Sequence, residues 1–143
     1  VYDLAKEKGY IQDATFAGMK HRMEQENMQR SEKVARGEAV YGLKEYTLDL
    51  YQEYELSMIE EAYILDETNE GMGLTEEEIE AYYNTRDWIV GEDARKADLS
   101  EARAAVIDEM RRNRYQELTE QKAAVAEVDG DMDQLSQFTL KQL

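Results

Sequence analysis

Apolar residues recur at three- and four-residue spacing along most of the chain, a pattern typical of amphipathic helices. The clearest stripe consists of Leu48, Tyr51, Met58, Ala62 and Leu65. No Pro interrupts the long segments, which are rich in strong helix formers. The pattern therefore predicts an all-α fold of about five helices, near residues 2–8, 13–36, 47–67, 75–87 and 99–122.

Short polar motifs predict where several of these helices begin. Thr75 and Glu78 have the spacing of a capping box, and Asp98 with Glu101 repeats it. Asp13 is the candidate N-cap of the second helix. At most two short strands are expected, near 38–41 and 125–128, and these two strands could pair with each other. Residues 91–97 are predicted to form an exposed connector.

The length of 143 residues suits one ordinary domain. We expect a single helical domain over 1–143, with a core in 1–128. Residues 129–143 form an acidic and then weakly apolar C-terminal tail.

Negative charge is concentrated in the middle of the chain. The formal net charge is −16, and residues 41–85 carry Lys44 against thirteen acidic residues, a net of −12. Such a segment repels phosphate backbones and anionic lipid, so no nucleic acid partner and no membrane adsorption are expected. It is either a solvated face or a surface that attracts basic segments of a partner.

The composition excludes several kinds of chemistry. Without Cys, the chain has no disulfide, no thiolate zinc site and no cysteine nucleophile, and His21 alone cannot build a multi-histidine metal site. Residues 129–140 begin like a calcium loop but have Gln134 and Leu140 where Gly and Glu are required. No apolar run approaches the roughly 18 residues of a membrane span. We therefore expect no metal, no cofactor and no membrane insertion.

Two polar residues interrupt the apolar stripe of the second helix. Asn27 and Arg30 lie at stripe positions, where a buried polar group needs a partner. Together with Tyr41 they form a candidate buried polar cluster. They could tie the turn at 40–42 onto the helices, or hold the backbone of a bound extended peptide.

Tyrosine is the dominant aromatic residue, with ten Tyr against two Phe and one Trp. Helical positions carry a candidate polypeptide-binding set: Tyr51, Tyr54, Met58, Tyr82 and Tyr83. These side chains either fill a core with polar edges or form an adaptable groove for apolar segments. A groove with an acidic rim would favour basic and aromatic peptides.

Several stretches resemble the helical chaperone part of bacterial extracytoplasmic foldases related to SurA, PrsA and PpiD. They are Glu26–Arg30, Val40–Gly42, Tyr46–Tyr51, Leu74–Tyr83 and the long last helix that runs into 125–128. Those foldases commonly insert a parvulin isomerase domain before the last helix. Here only about a dozen residues separate Trp88 from Ser100, and the second half contains no His, so no parvulin active site can be carried over.

The resemblance implies a non-catalytic chaperone-like domain that holds unfolded or extended polypeptide clients. It also implies export from the cytoplasm and a membrane anchor, lipid or helix, upstream of Val1. The alternative is a structural or interaction module that assembles with a partner protein or as a homodimer. An isomerase, implied by the family name alone, is the third hypothesis.

Overall fold

The computed structural model describes residues 1–142, with side chains described for residues 1–125. Within this part the chain forms five helices and one small hairpin, which confirms the all-α prediction. The elements are α1 (Tyr2–Glu7), α2 (Phe16–Ala35), α3 (Leu48–Leu65), α4 (Glu76–Tyr83), β1 (Ile89–Val90), β2 (Arg95–Lys96) and α5 (Leu99–Gln142).

Side-chain caps fix the start of several helices. The capping box of Thr75 and Glu78 is present at the start of α4, as predicted. The cap of α2 is Thr15 rather than Asp13, because the Asp13 carboxylate accepts bonds from the Thr15 amide and hydroxyl at 2.8 and 2.6 Å. Asp13 therefore shapes the turn before the helix, and the Thr15 hydroxyl accepts the amide proton of Gly18.

The predicted positions of both strands are wrong. Residues 38–41 are irregular, and 125–128 continue α5, where no Pro interrupts the helix and Ala, Glu and Gln favour it. The hairpin lies instead at residues 89–96, where it begins before the predicted connector and overlaps it, and pairs Ile89 with Lys96 and Val90 with Arg95. Gly91, at φ +74°, supplies the left-handed conformation that such a turn requires. The calcium-like residues 129–140 lie outside the described side chains.

The chain divides into two compact units, unit 1 (Val1–Ala62) and unit 2 (Tyr63–Leu143). Unit 2 has an apolar core among its described side chains. Its buried members are Ile79, Trp88, Ala97, Ala102, Val106 and Met110. The last three recur every four residues on α5, so one face of that helix packs against α4 and the hairpin region.

Unit 1 buries a different face of α3 from the one its apolar pattern suggests. The buried positions are Tyr51, Glu55 and Ile59, whereas Met58 is 54% exposed. On α2, Met19 is buried and Phe16 is 65% exposed. Unit 1 therefore accepts a carboxylate in its interior and leaves large apolar side chains at its surface.

Candidate functional site

An open cavity of about 320 Å³ lies on unit 1 beside α3. We call it the tyrosine groove; it is lined by Tyr10, Ile11, Arg22, Tyr51, Tyr54, Glu55, Met58, Ile59 and Ala62. Six of these residues lie on α3, at the spacing of one helix face and its flank. Gly9, at φ +80°, ends α1 and turns the chain so that Tyr10 and Ile11 complete the wall.

A buried ion pair forms the polar part of the groove. Arg22 donates from Nε and Nη2 to the two carboxylate oxygens of Glu55, at 2.8 and 2.7 Å. The Glu55 side chain is 8% exposed, so this two-point bond compensates for much of its desolvation. The bond also raises the pKa of Arg22, against the opposing effect of burial. The pair is a fixed element of the wall, with both charges satisfied.

The hydroxyls of Tyr2 and Tyr51 lie near this carboxylate. Burial, and then the charge of Glu55, raise the pKa of Tyr2 to about 12. Burial and a hydrogen bond to Glu55 raise the pKa of Tyr51 further. The pKa of Tyr54 is also raised, by burial and by the charge of Glu26. All three hydroxyls remain neutral donors near pH 7, so the groove presents uncharged aromatic surface.

A second tyrosine layer supports the groove wall from the side of α2. The ring of Tyr46 stacks on Tyr54 at a centroid distance of 5.2 Å and meets the edge of Tyr51 at 5.7 Å. Asn27 pairs with both backbone groups of Tyr46, accepting from its amide at 2.7 Å and donating to its carbonyl at 3.0 Å. Asn27 therefore holds Tyr46 in position, and the Tyr46 ring packs against Tyr54.

Arg30 fastens the segment that precedes Tyr46. Its Nη1 donates to the carbonyls of Tyr41 and Leu43 at 2.8 and 2.6 Å, and its Nε to Glu26 at 2.9 Å. The guanidinium also lies 4.8 Å from the centroid of the Tyr46 ring. Asn27 and Arg30 thus bind the chain's own backbone at 41–46. The predicted cluster is not buried: Asn27 and Arg30 are half-buried, and Tyr41 is 88% exposed and contributes only its carbonyl.

Tyr82 and Tyr83, the other two predicted binding residues, belong to unit 2. Tyr83 donates its hydroxyl to the Ala97 carbonyl at 2.6 Å, and Tyr82 accepts a bond from Asn113 at 2.9 Å. Both rings pack against the apolar core of that unit. Tyr51, Tyr54 and Met58 line the tyrosine groove, so the five candidates occupy two separate settings. Their part in polypeptide binding stays a prediction.

Neither the Arg22–Glu55 ion pair nor the role of Tyr46 was predicted from the sequence. Glu55 lies four residues after Tyr51 and four before Ile59, so it occupies the buried face of α3. Like Asn27 and Arg30, it is a polar residue at an apolar position, and it could have been identified in the same way. Tyr10 and Ile11 lie in a loop, so helical periodicity could not predict that they line the groove.

Among the described residues, no group of three or more His, Cys, Asp or Glu side chains is placed to hold a metal ion. In the same residues no helix combines the length and apolar character that crossing a membrane requires. The groove itself presents aromatic, aliphatic and carboxylate groups.

One of three comparisons with known proteins bears on what kind of protein this chain is. No protein-family model and no solved structure matches the chain. The chain is 36% identical over 143 residues to the chaperone for lacto-N-biosidase of Bifidobacterium longum subsp. longum. The alignment covers 99% of this chain and 51% of that protein, so the chain spans about half the length of this curated relative. The similarity supports a chaperone role, but it gives no support to the narrower SurA, PrsA and PpiD resemblance.

Proposed function

We propose that this chain is a non-catalytic, client-holding region of a chaperone, and that it binds unfolded or extended polypeptide segments. The observation that carries the proposal is the tyrosine groove, an open cavity with aromatic and methionine walls on a chain similar to a named chaperone. Tyrosine and methionine suit surfaces that accept varied apolar partners, because their contacts adapt to different shapes.

The client we propose is an enzyme of the lacto-N-biosidase kind. The support is the name of the relative, which identifies that protein as a chaperone for such an enzyme. A chaperone of this kind needs no reactive group, because its effect comes from binding the unfolded or partly folded state and keeping it from aggregating.

We further propose that the protein acts outside the cytoplasm and is held at a membrane by a segment upstream of Val1. This proposal rests on the resemblance to exported foldases. Fractionation of the native gene product tests it: recovery in the membrane fraction supports the proposal, and recovery in the cytosol contradicts it.

Refolding of a denatured client tests the proposed function. A lacto-N-biosidase is diluted from denaturant with 0, ~0.5 and ~2 equivalents of the 143-residue chain, and light scattering and recovered activity are followed. We expect scattering to fall and activity to rise with the dose. An acidic helical protein of similar size serves as the control. Equal effects of the chain and the control would overturn the proposal.

The competing function is an interaction module that assembles with a partner or with a second copy. The contacts of Asn27 and Arg30 with the chain's own backbone fit this structural role, because they stabilise a loop rather than leave a peptide site open. Sedimentation equilibrium separates the two: a tight homodimer without any effect on refolding would favour assembly.

A further inference from the structure

We propose that Met58 is an oxidation site that controls the tyrosine groove, with a peroxide as the oxidant. Conversion of its thioether to the sulfoxide places a polar group in an apolar wall and weakens the binding of apolar segments. This inference rests on the proposed function and adds a regulation of the same groove. Two observations carry it, the exposure of the Met58 side chain and its position in the lining.

Exposure separates the methionines that a dissolved oxidant can reach from those that it cannot. Among the described side chains, Met58 and Met28 are 54% and 58% exposed. Met19, Met72 and Met110 are buried, with at most 5% of their surface accessible. The two exposed thioethers are therefore open to peroxide, whereas the surrounding side chains protect the three that belong to the interior.

The two exposed thioethers differ in where they lie. Met58 lines the groove together with Tyr54, which precedes it by about one helical turn and is its neighbour on the surface of α3. Met28 lies on α2 and is not part of that lining. An apolar guest in the groove meets Met58, so a change in the polarity of this side chain alters binding, whereas the same change at Met28 does not.

The oxidation needs no catalytic group from the chain. The Met58 sulfur attacks one oxygen of hydrogen peroxide, so that an S–O bond forms and the O–O bond breaks. The departing hydroxide takes the proton of the transferred oxygen and leaves as water; the sulfur has lost two electrons and the peroxide has gained them. The product is polar, and the adaptable apolar contact of methionine is lost. Methionine sulfoxide reductases reverse the change.

Oxidation of the whole 143-residue chain, followed by peptide binding, tests the proposal. The chain is treated with dilute hydrogen peroxide, the peroxide is removed, and mass spectrometry of proteolytic fragments gives the extent of oxidation at each methionine. Fluorescence anisotropy measures the binding of an uncharged peptide with a Phe-Leu centre. We expect Met58 and Met28 to be oxidised before Met19, Met72 and Met110, and the peptide to bind about fivefold more weakly once Met58 is oxidised. Methionine sulfoxide reductases should restore the original affinity.

A matched pair of variants assigns the loss of affinity to one sulfur. Leucine has nearly the volume of methionine and is not oxidised by peroxide. Met58→Leu should therefore bind the peptide like the parent chain and keep this affinity, within about twofold, after peroxide treatment. Met28→Leu should remain as sensitive to peroxide as the parent. Met23, which is half-buried, and Met132, which lies outside the described side chains, are present in both variants, so their oxidation does not distinguish the two.

Equal losses of affinity in peroxide-treated Met58→Leu and Met28→Leu would overturn the proposal. Unchanged binding after complete oxidation of Met58 would do the same, and so would an untreated parent chain that binds no such peptide.

Client refolding by the untreated and the oxidised chain keeps the proposed function separate from this regulation. Equal assistance by both forms would leave the proposed function standing without control by Met58. Peptide binding that is sensitive to oxidation, on a chain that does not assist refolding, would remove the proposed function and keep Met58 as the control of a peptide site.

Discussion

The two units of the chain use opposite solutions to the problem of forming an interior. Unit 2 buries a continuous apolar cluster around Trp88 and Val106, and its ion pairs, such as Arg86 with Glu109, are exposed. Unit 1 adds the Glu55–Arg22 ion pair to buried apolar residues such as Met19 and Ile59, and the hydroxyls of Tyr2 and Tyr51 lie near the carboxylate. Apolar burial stabilises without directional requirements, whereas a buried ion pair tolerates little change in geometry.

If the proposed function is correct, the two units have different tasks. In unit 2 the predicted binding residue Tyr83 uses its hydroxyl to hold Ala97, so its side chain serves the fold. In unit 1 Met58 remains exposed beside tyrosines that are held in place from behind by Tyr46. A polar interior that fixes aromatic walls and leaves an apolar cavity open is suited to binding. We therefore propose that unit 1 carries the client surface.

The largest effect is expected from a charge in the core of unit 2. Val106 has no exposed surface, and Val106→Asp should destabilise the fold by more than about 4 kcal/mol, because a buried carboxylate there has no partner. Urea unfolding followed by the fluorescence of Trp88, the single tryptophan, measures it. The exposed neighbour Ala105→Asp is the control and should unfold like the parent chain. Tolerance of Val106→Asp would show that this core is not tightly packed.

Loss of the buried carboxylate in unit 1 comes next. Glu55→Ala should cost about 2–3 kcal/mol, because it leaves the partly buried Arg22 without its partner. Replacing both residues with apolar ones, Arg22→Met with Glu55→Leu, should restore much of the lost stability. Urea unfolding by far-ultraviolet circular dichroism measures both variants. A double variant less stable than Glu55→Ala would mean that the polar pair itself is required.

Loss of the contacts between Arg30 and the backbone at 41–43 should have a smaller effect on the free energy of unfolding. Arg30→Ala removes the charge-assisted hydrogen bonds to the carbonyls of Tyr41 and Leu43 and should cost about 1–3 kcal/mol. Glu38→Ala removes an exposed ion pair with Arg36 and should change stability by less than about 1 kcal/mol, which makes it the control. Unchanged stability of Arg30→Ala together with reduced peptide binding would instead assign Arg30 to the client surface.

The smallest expected effect is the part of the alkaline pH dependence of stability that comes from Tyr2. The pKa of Tyr2 is about 12 in the folded chain and about 10 in an unfolded one. Its contribution to stability is therefore complete below pH 10 and is lost as the pH rises toward 12, because the unfolded state releases the proton first. Tyr2→Phe should flatten the fall in the urea midpoint between pH 9 and about 11. An identical slope in both chains would contradict the raised pKa.

Helices were predictable from the sequence because a single stripe of apolar residues and a few caps determine them locally. The capping box at Thr75 and the long uninterrupted run that forms α5 are examples. The short strands were not predictable, since a two-residue strand exists only through its partner. Residues 38–41 have a β-permissive composition, but Arg30 binds the neighbouring backbone and no strand forms there.

The candidate site was only partly predictable for a related reason. Periodicity identified Tyr51 and Tyr54 because they follow the helix repeat. It did not predict that Glu55 is buried. A carboxylate on the buried face of α3 needs a cationic partner, and that partner is Arg22, which lies 33 positions away in the sequence. Nothing in the periodicity distinguished Met58, which is exposed, from Ile59, which is buried.

Site-specific photo-crosslinking tests most directly whether unit 1 holds the client. A photoreactive phenylalanine replaces Met58 of unit 1 in one variant and Ile89 of unit 2 in another, at two apolar positions of similar exposure, 54% and 58%. Each variant is irradiated with a lacto-N-biosidase diluted from denaturant. We expect a crosslinked client from position 58, several-fold stronger than from position 89. Equal yields at both positions, or a stronger yield at 89, would contradict the assignment of the client surface to unit 1.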